Sequence, residues 1–144
     1  MQIAALPLAR DQCEKACIRL CNEFAWAVDG RHYDQFVALF ALDGVFDRAG
    51  QISRGRAEIL QFLNARPADK LTRHVCTNIC ITMIGPAAAS GRSYASVFQT
   101  QTTPGAALPV PTPTAMVVEY HDDYALTNEG WKFKNREVKI IFQP

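Results

Sequence analysis

The chain has 144 residues, 49% of them hydrophobic and 20% charged, with 15 Lys and Arg against 14 Asp and Glu for a net charge of +1. That is the size and make-up of one globular domain, residues 1–144, and the neutral balance argues against nucleic acid as a partner. No apolar run approaches the ~20 residues that cross a bilayer, and the opening MQIAALPLARDQ lacks a basic start and a long apolar middle. The expectation is an unprocessed cytoplasmic protein that does not engage membranes.

Residues 9–28 place Cys13, Cys17, Leu20, Cys21, Phe24 and Val28 at spacings of three and four, one face of a helix, which Asp29-Gly30 ends. A shorter helix spans residues 32–40, with Tyr33, Phe36, Val37 and Phe40 inward. Asp43-Gly44 then makes a turn before strand-like Val45-Phe46. Ser53-Arg54-Gly55 opens a third helix over residues 57–64, closed by Pro67. Beyond residue 70 the hydrophobic period falls to two, predicting strands at residues 72–84, 93–102, 115–125 and 131–142. Turns fall at Gly85-Pro86 and Asn128-Glu129-Gly130. Residues 103–114 carry four prolines and form a loop rather than a central strand.

Helices first and consecutive strands after imply an α+β fold in which a strongly curved antiparallel sheet wraps its concave face around the helices and leaves a pocket between them. The five cysteines form two sets, Cys13, Cys17, Cys21 and Cys76, Cys80, with no Cys-x-x-Cys pair. Cys13 and Cys21 stand ~12 Å apart along a helix axis, too far to share one tetrahedral ion with Cys17. They read as small apolar wall residues, and no metal is expected.

In LTRHVCTNICITM, strict alternation puts His74, Cys76, Asn78, Cys80 and Thr82 on one face of a strand, and Val75, Ile79, Ile81 and Met83 on the other. With the first face inward, an imidazole enters an apolar chamber, where desolvation favours its neutral, proton-accepting form. Asp29 ends the first helix, where the helix dipole disfavours a carboxylate by ~0.3–1 kcal/mol. A packed histidine and an ordinary helix-ending turn are the plain readings of the same two residues.

The order of elements, with AVDGRHYDQFVALFALDGVF, SRGRAEILQFL, LTRHVCTNICI and EYHDDYALTNEGWKFKNREVKI, resembles the SnoaL-like branch of the nuclear transport factor 2-like (cone) superfamily over nearly the whole chain. Within that branch it is most similar to the scytalone dehydratase and hexachlorocyclohexane dehydrochlorinase group. There an aspartate at the end of the first helix orients a histidine on the first long strand, and the matching residues are Asp29 in AVDGRHY and His74 in TRHVCTN. The resemblance implies a cofactor-free lyase or isomerase acting on a small, apolar, cyclic hydroxylated molecule. In it His74 takes a proton from carbon and Asp29 holds the imidazole.

The sequence departs from those relatives in places. Val28 stands where the scytalone enzyme has a tyrosine before the aspartate, and Asp47 where another tyrosine is expected. Its second histidine has no counterpart near residues 114–117, and the dehydrochlorinase's arginine has none in DDYALTNEG.

Secondary candidates each carry two readings. Asn78 donates to a substrate oxygen or is an amide satisfied by backbone. Arg136, in parity with Val138 and Ile140, stabilises an anion or enolate in the chamber or forms a salt bridge at its rim. Asp47 is an acid, a ligand contact or a turn residue. Tyr33 and Tyr120 supply phenols or pack in the core, and Cys76 lines the wall beside His74. Trp26, Phe24, Phe40, Phe62, Phe98 and Met116 are walls for a flat substrate or plain core.

Two other functions share this fold: a non-catalytic ligand-binding or assembly module, and the small structural subunit of a ring-hydroxylating dioxygenase, against which the dyad argues. Relatives cover the outer sheet face with sister subunits. An outward row of Val75, Ile79, Ile81 and Met83 would need such a cover, which implies a homo-oligomer, a trimer before a dimer.

Overall fold

The computed structural model describes residues 5–144, with side chains from Arg10 onward, so the first four residues of the stretch read for a leader lie outside it. Helix α1 (Ala5–Asp29) and helix α2 (Tyr33–Ala38) lead into strand β1 (Phe40–Arg48), strand β2 (Gln51–Arg54) and helix α3 (Gly55–Asn64). Four long strands follow: β3 (Lys70–Gly85), β4 (Ala88–Gln101), β5 (Ala115–Thr127) and β6 (Gly130–Phe142). The described helices show no span long and apolar enough to cross a membrane.

All six strands join one curved, unclosed sheet in the order β2-β1-β6-β5-β4-β3. The pairs β3–β4, β4–β5 and β5–β6 are antiparallel hairpin neighbours, as consecutive strands predict. The β1–β6 pairing is parallel, and the chain between these two strands runs through β2, α3, β3, β4 and β5 rather than through a hairpin. Sequence reading missed β2 and most of β1. Phe40 opens β1 instead of closing α2, and Asp43-Gly44 falls inside that strand, where the β1–β6 register shifts between Phe40 and Val45. A Cβ on Gly44 would meet the Ala41 and Phe133 carbonyl oxygens at 3.0 Å, so any other residue would push β1 and β6 apart by a few tenths of an ångström.

The helices pack in the concave face, and the core between the layers is aromatic. Phe24 of α1 touches the rings of Phe36, Phe46, Tyr120 and Phe133 at centroid separations of 4.6–6.1 Å. Cys17 and Cys21 are fully buried in the same cluster, on the helical stripe read as wall material. Truncating any one of these rings to alanine costs about 3–5 kcal/mol.

One backbone irregularity decides what the long strand β3 presents. Asn78 takes φ +56°, and the β3–β4 register slips between Thr77 and Cys80, so two residues bulge out of the ladder. Alternation restarts on the opposite parity. Ile79, Ile81 and Met83 turn inward against the core, while Asn78, Cys80 and Thr82 face solvent. The expected shared face of His74, Asn78, Cys80 and Thr82 therefore ends at Cys76. Of the four apolar residues expected outside, only Val75 is exposed.

Candidate active site

Asp29 and His74 meet through the ends of two elements. Helix α1 terminates with Gly30 N–H donating to Trp26 O at 2.9 Å and His32 N–H to Ala27 O at 2.8 Å. Arg31 rather than Gly30 takes the left-handed backbone at φ +60°, and its guanidinium fixes that turn by donating to the Pro67 and Lys70 carbonyls, both at 2.7 Å. Gly30 serves close packing instead, since a Cβ there would lie 2.7 Å from the His32 ring.

The turn aims the Asp29 carboxylate at β3. His74 Nδ1–H donates to Oδ1 at 2.7 Å, the His74 backbone N–H donates to Oδ2 at 2.8 Å, and the Thr72 hydroxyl donates to Oδ1 at 2.8 Å. The two side chains are 9% and 14% exposed. Burial raises the Asp29 pKa, but the side-chain and backbone hydrogen bonds from His74, the charge on His74 and the bond from Thr72 outweigh it and leave the pKa below the usual carboxylate value. An ionised Asp29 accepts only, which fixes the Nδ1–H tautomer of neutral His74 and leaves Nε2 with its lone pair. Arg66 supports the arrangement, donating to Thr72 Oγ1 at 3.2 Å, to Val28 O at 3.0 Å and to the Tyr33 hydroxyl at 2.9 Å. Thr72 and Arg66 escaped sequence reading, although Thr72 lies two residues before His74 and so on its face of the strand.

His74 lines a cavity of about 490 Å³ between the helices and the sheet. Phe24, Val28, Phe36, Phe46, Phe62, Leu63, Val97, Met116, Val118 and Tyr120 form its apolar wall, and Arg48, Arg66, Lys70, Thr72 and Gln99 supply polar groups. Such a chamber suits a small, mostly apolar molecule held by a few convergent polar contacts. Burial pushes the Tyr120 phenol well above its ordinary value, so the hydroxyl stays protonated and can donate. A depression of about 530 Å³ lies elsewhere, lined by Arg92, His121, Asp123 and Glu137, and has no comparable apolar floor.

The other candidates fall into place around this chamber. Trp26 is 80% exposed on the outer surface, bordering a hollow of about 300 Å³ that also touches Asp29, His74 and Cys76. Trp26 is no wall of the main chamber, because its position on α1 lies off the buried stripe. Phe40 is fully buried behind the lining, stacked on Phe36, and Phe98 sits on the sheet face opposite Val97. Asn78 is exposed on the bulge. Asp47 is a turn residue, its Oδ1 accepting the Gly50 N–H at 2.8 Å, while its neighbours Phe46 and Arg48 face the chamber. The Tyr33 hydroxyl is engaged by Arg66 and by Arg31. Cys76 packs against the core, its thiol 3.9 Å from Cys21 O.

Arg136 is fully buried, but as a core ion pair. Its Nε and Nη2 donate to Asp122 Oδ1 and Oδ2 at 2.8 and 2.9 Å, and its guanidinium lies 3.9–4.4 Å from the ring centroids of Tyr120, Phe24 and Phe133. Burial opposes the charge, but the adjoining Asp122 carboxylate more than compensates and keeps the guanidinium protonated. It does not line the chamber, so the expected anion-stabilising role inside it is corrected to a role in holding α1, β5 and β6 together.

A curved, unclosed sheet packed around helices defines a class, the domains of cystatin-like fold. The chain matches the model of the SnoaL-like domain over residues 12–137, and it belongs to that family. Among solved structures it is similar to a protein of nuclear transport factor 2-like type from Novosphingobium aromaticivorans (TM-score 0.83, 19% identity, 100% of this chain and 92% of that one). It is also similar to a hexachlorocyclohexane dehydrochlorinase (TM-score 0.79, 16% identity, 94% and 90%). A third similar structure is a scytalone-dehydratase-like protein from the same Novosphingobium (TM-score 0.74, 23% identity, 99% and 89%). At these identities the likeness is one of fold. No curated protein matches the sequence.

Proposed function

We propose that this protein is a cofactor-free lyase, or a related isomerase, in which His74 removes a proton from carbon of a small, apolar, cyclic hydroxylated molecule bound in the chamber. The observation that carries the reading is that Asp29 occupies Nδ1 of His74 at 2.7 Å while the same imidazole lines a 490 Å³ apolar cavity. Proton abstraction by a positioned base contributes about 10²–10⁴-fold. His74 Nε2 takes the proton from a carbon next to an electron-withdrawing group, and the C–H electron pair becomes the new double bond. Hydroxyl or halide leaves the neighbouring carbon, the halide as its anion and the hydroxyl as water when the imidazolium returns the proton to it. Asp29 faces that imidazolium, whose charge it stabilises. Tyr120, buried and protonated, supports the reading as a hydrogen-bond donor in the same wall. Membership of a family whose fold relatives include a dehydrochlorinase is consistent with elimination chemistry.

The test is a screen of hydroxylated and halogenated cyclic compounds for loss of water or halide, read by mass spectrometry with wild-type protein and His74→Ala. The expected result is turnover by the wild type, none by the variant, and a nearly unchanged melting transition. Equal turnover by the variant overturns the assignment, and tight binding of the same compounds without turnover by either favours a ligand-binding module.

A further inference from the structure

Among the described residues, three cationic side chains line the chamber, Arg48, Arg66 and Lys70, and no aspartate or glutamate does. Among the described residues, none of the three forms an ion pair with a carboxylate. Arg66 spends its donors inside the fold, on Val28, Tyr33 and Thr72. Arg48 spends one donor there and Lys70 spends none among the described residues. Arg48 reaches in from β1 with its guanidinium 3.4 Å from the Phe62 ring centroid. Its Nη1 donates to Ser53 at 3.1 Å, and its Nε is buried without a partner. Lys70 forms hydrogen bonds only through its backbone, N–H to Pro67 and carbonyl from Arg31, which leaves the ammonium unpartnered among the described residues.

Both groups are partly desolvated. Burial lowers the pKa of Arg48, with nearby Asp47 working the other way. Burial also lowers that of Lys70, and the charges of Arg66 and Arg31 lower it further. Cations held out of water without a counter-ion are costly unless a ligand supplies one. We infer that the chamber takes an apolar molecule bearing an anionic oxygen group, held by the cationic side chains of Arg48 and Lys70 in its lining. Lys70, Thr72 and His74 alternate on one face of β3, so Lys70 and His74 stand about 13 Å apart along the strand, at ~3.3 Å per residue. A two-ring molecule whose anionic group sits at Lys70 spans that distance and brings a ring carbon to His74. What happens to that carbon rests on the function proposed above; the binding preference does not.

The test uses two fluorescent probes with the same apolar body, anionic 8-anilino-1-naphthalenesulfonate and neutral N-phenyl-1-naphthylamine, titrated into wild type, Arg48→Gln, Lys70→Gln and the double variant. Each single change is expected to weaken the anionic probe about three- to tenfold, as for loss of a charge-assisted hydrogen bond, while the neutral probe stays within about twofold and reports an intact chamber. Arg92→Gln, outside the chamber, is expected to change neither. Equal loss of both probes, or no loss of the anionic probe in the double variant, overturns the inference. His74→Ala is expected to keep the anionic preference, so a failure of the catalytic reading is seen separately as absent turnover with the preference intact.

Discussion

Asp29 grips His74 at two points, one oxygen accepting the ring Nδ1–H at 2.7 Å and the other the backbone N–H at 2.8 Å. The carboxylate thereby fixes the tautomer of the imidazole and ties the end of α1 to β3. Asp29→Asn keeps the size but offers an amide where a carboxylate accepted three hydrogen bonds. We expect turnover to fall by about 10²–10⁴-fold and stability by about 1–3 kcal/mol, checked by kinetics on a substrate found in the screen and by urea denaturation.

The same carboxylate sets a pH dependence. Its folded pKa lies below the unfolded value, so its contribution to stability is present above the unfolded value, about 3.9, and is lost as pH falls through the folded pKa. Melting temperatures measured from pH 7 down to pH 3 are expected to fall more steeply in the wild type than in Asp29→Asn. Parallel acid limbs in the two proteins contradict this.

Thr72 positions rather than reacts, since its hydroxyl joins Arg66 to Asp29. Thr72→Val retains the shape and removes both bonds, costing about 1–2 kcal/mol. If Thr72 orients the dyad, kcat falls while KM holds, and Thr72→Ser restores most of it. A variant that loses stability alone, with kcat unchanged, contradicts the positioning role.

The pair Arg136–Asp122 is fully buried, and breaking it strands a charge in the core. Asp122→Ala is expected to cost about 3–5 kcal/mol, and replacing both residues by apolar ones of similar volume considerably less. Thermal melts of the single and double variants check this. Similar costs for both would mean that the guanidinium's packing on Tyr120, Phe24 and Phe133 outweighs its pairing.

Asn78 controls which side chains of β3 face the core. At φ +56° Asn78→Gly is expected to be neutral within about 0.5 kcal/mol, whereas β-branched Asn78→Val costs about 1–2 kcal/mol. Deleting Asn78 removes the extra residue and sets Ile79 directly after Thr77, so regular alternation still carries Ile79, Ile81 and Met83 inward, and cooperative unfolding is expected to be retained, measured by calorimetry.

Periodicity made the element order, the four long strands and the α1 core stripe legible, because burial imposes periods of 3.6 and 2 on those segments. It could not reveal the bulge at Asn78. Strict alternation carried Asn78, Cys80 and Thr82 inward on paper, and an asparagine in a strand is a weak sign of left-handed backbone. Strand β2 was hidden for a related reason, since only Ser53 of its four residues is buried. Asp29 and His74 stood out through resemblance, while Arg136 and Phe40 were expected at the chamber wall and lie behind it. Parity tells which face a side chain takes but not which layer of the core it reaches.

The most direct test of His74 as the base follows hydrogen at carbon. A compound that the chamber binds is incubated in D₂O with wild type, Asp29→Asn and His74→Ala, and solvent deuterium entering the acidic C–H position, in product or recovered compound, is followed by proton NMR. Incorporation is predicted with the wild type, about 10²-fold or more slower with Asp29→Asn, and at the buffer rate with His74→Ala. Incorporation that persists in His74→Ala would contradict the account.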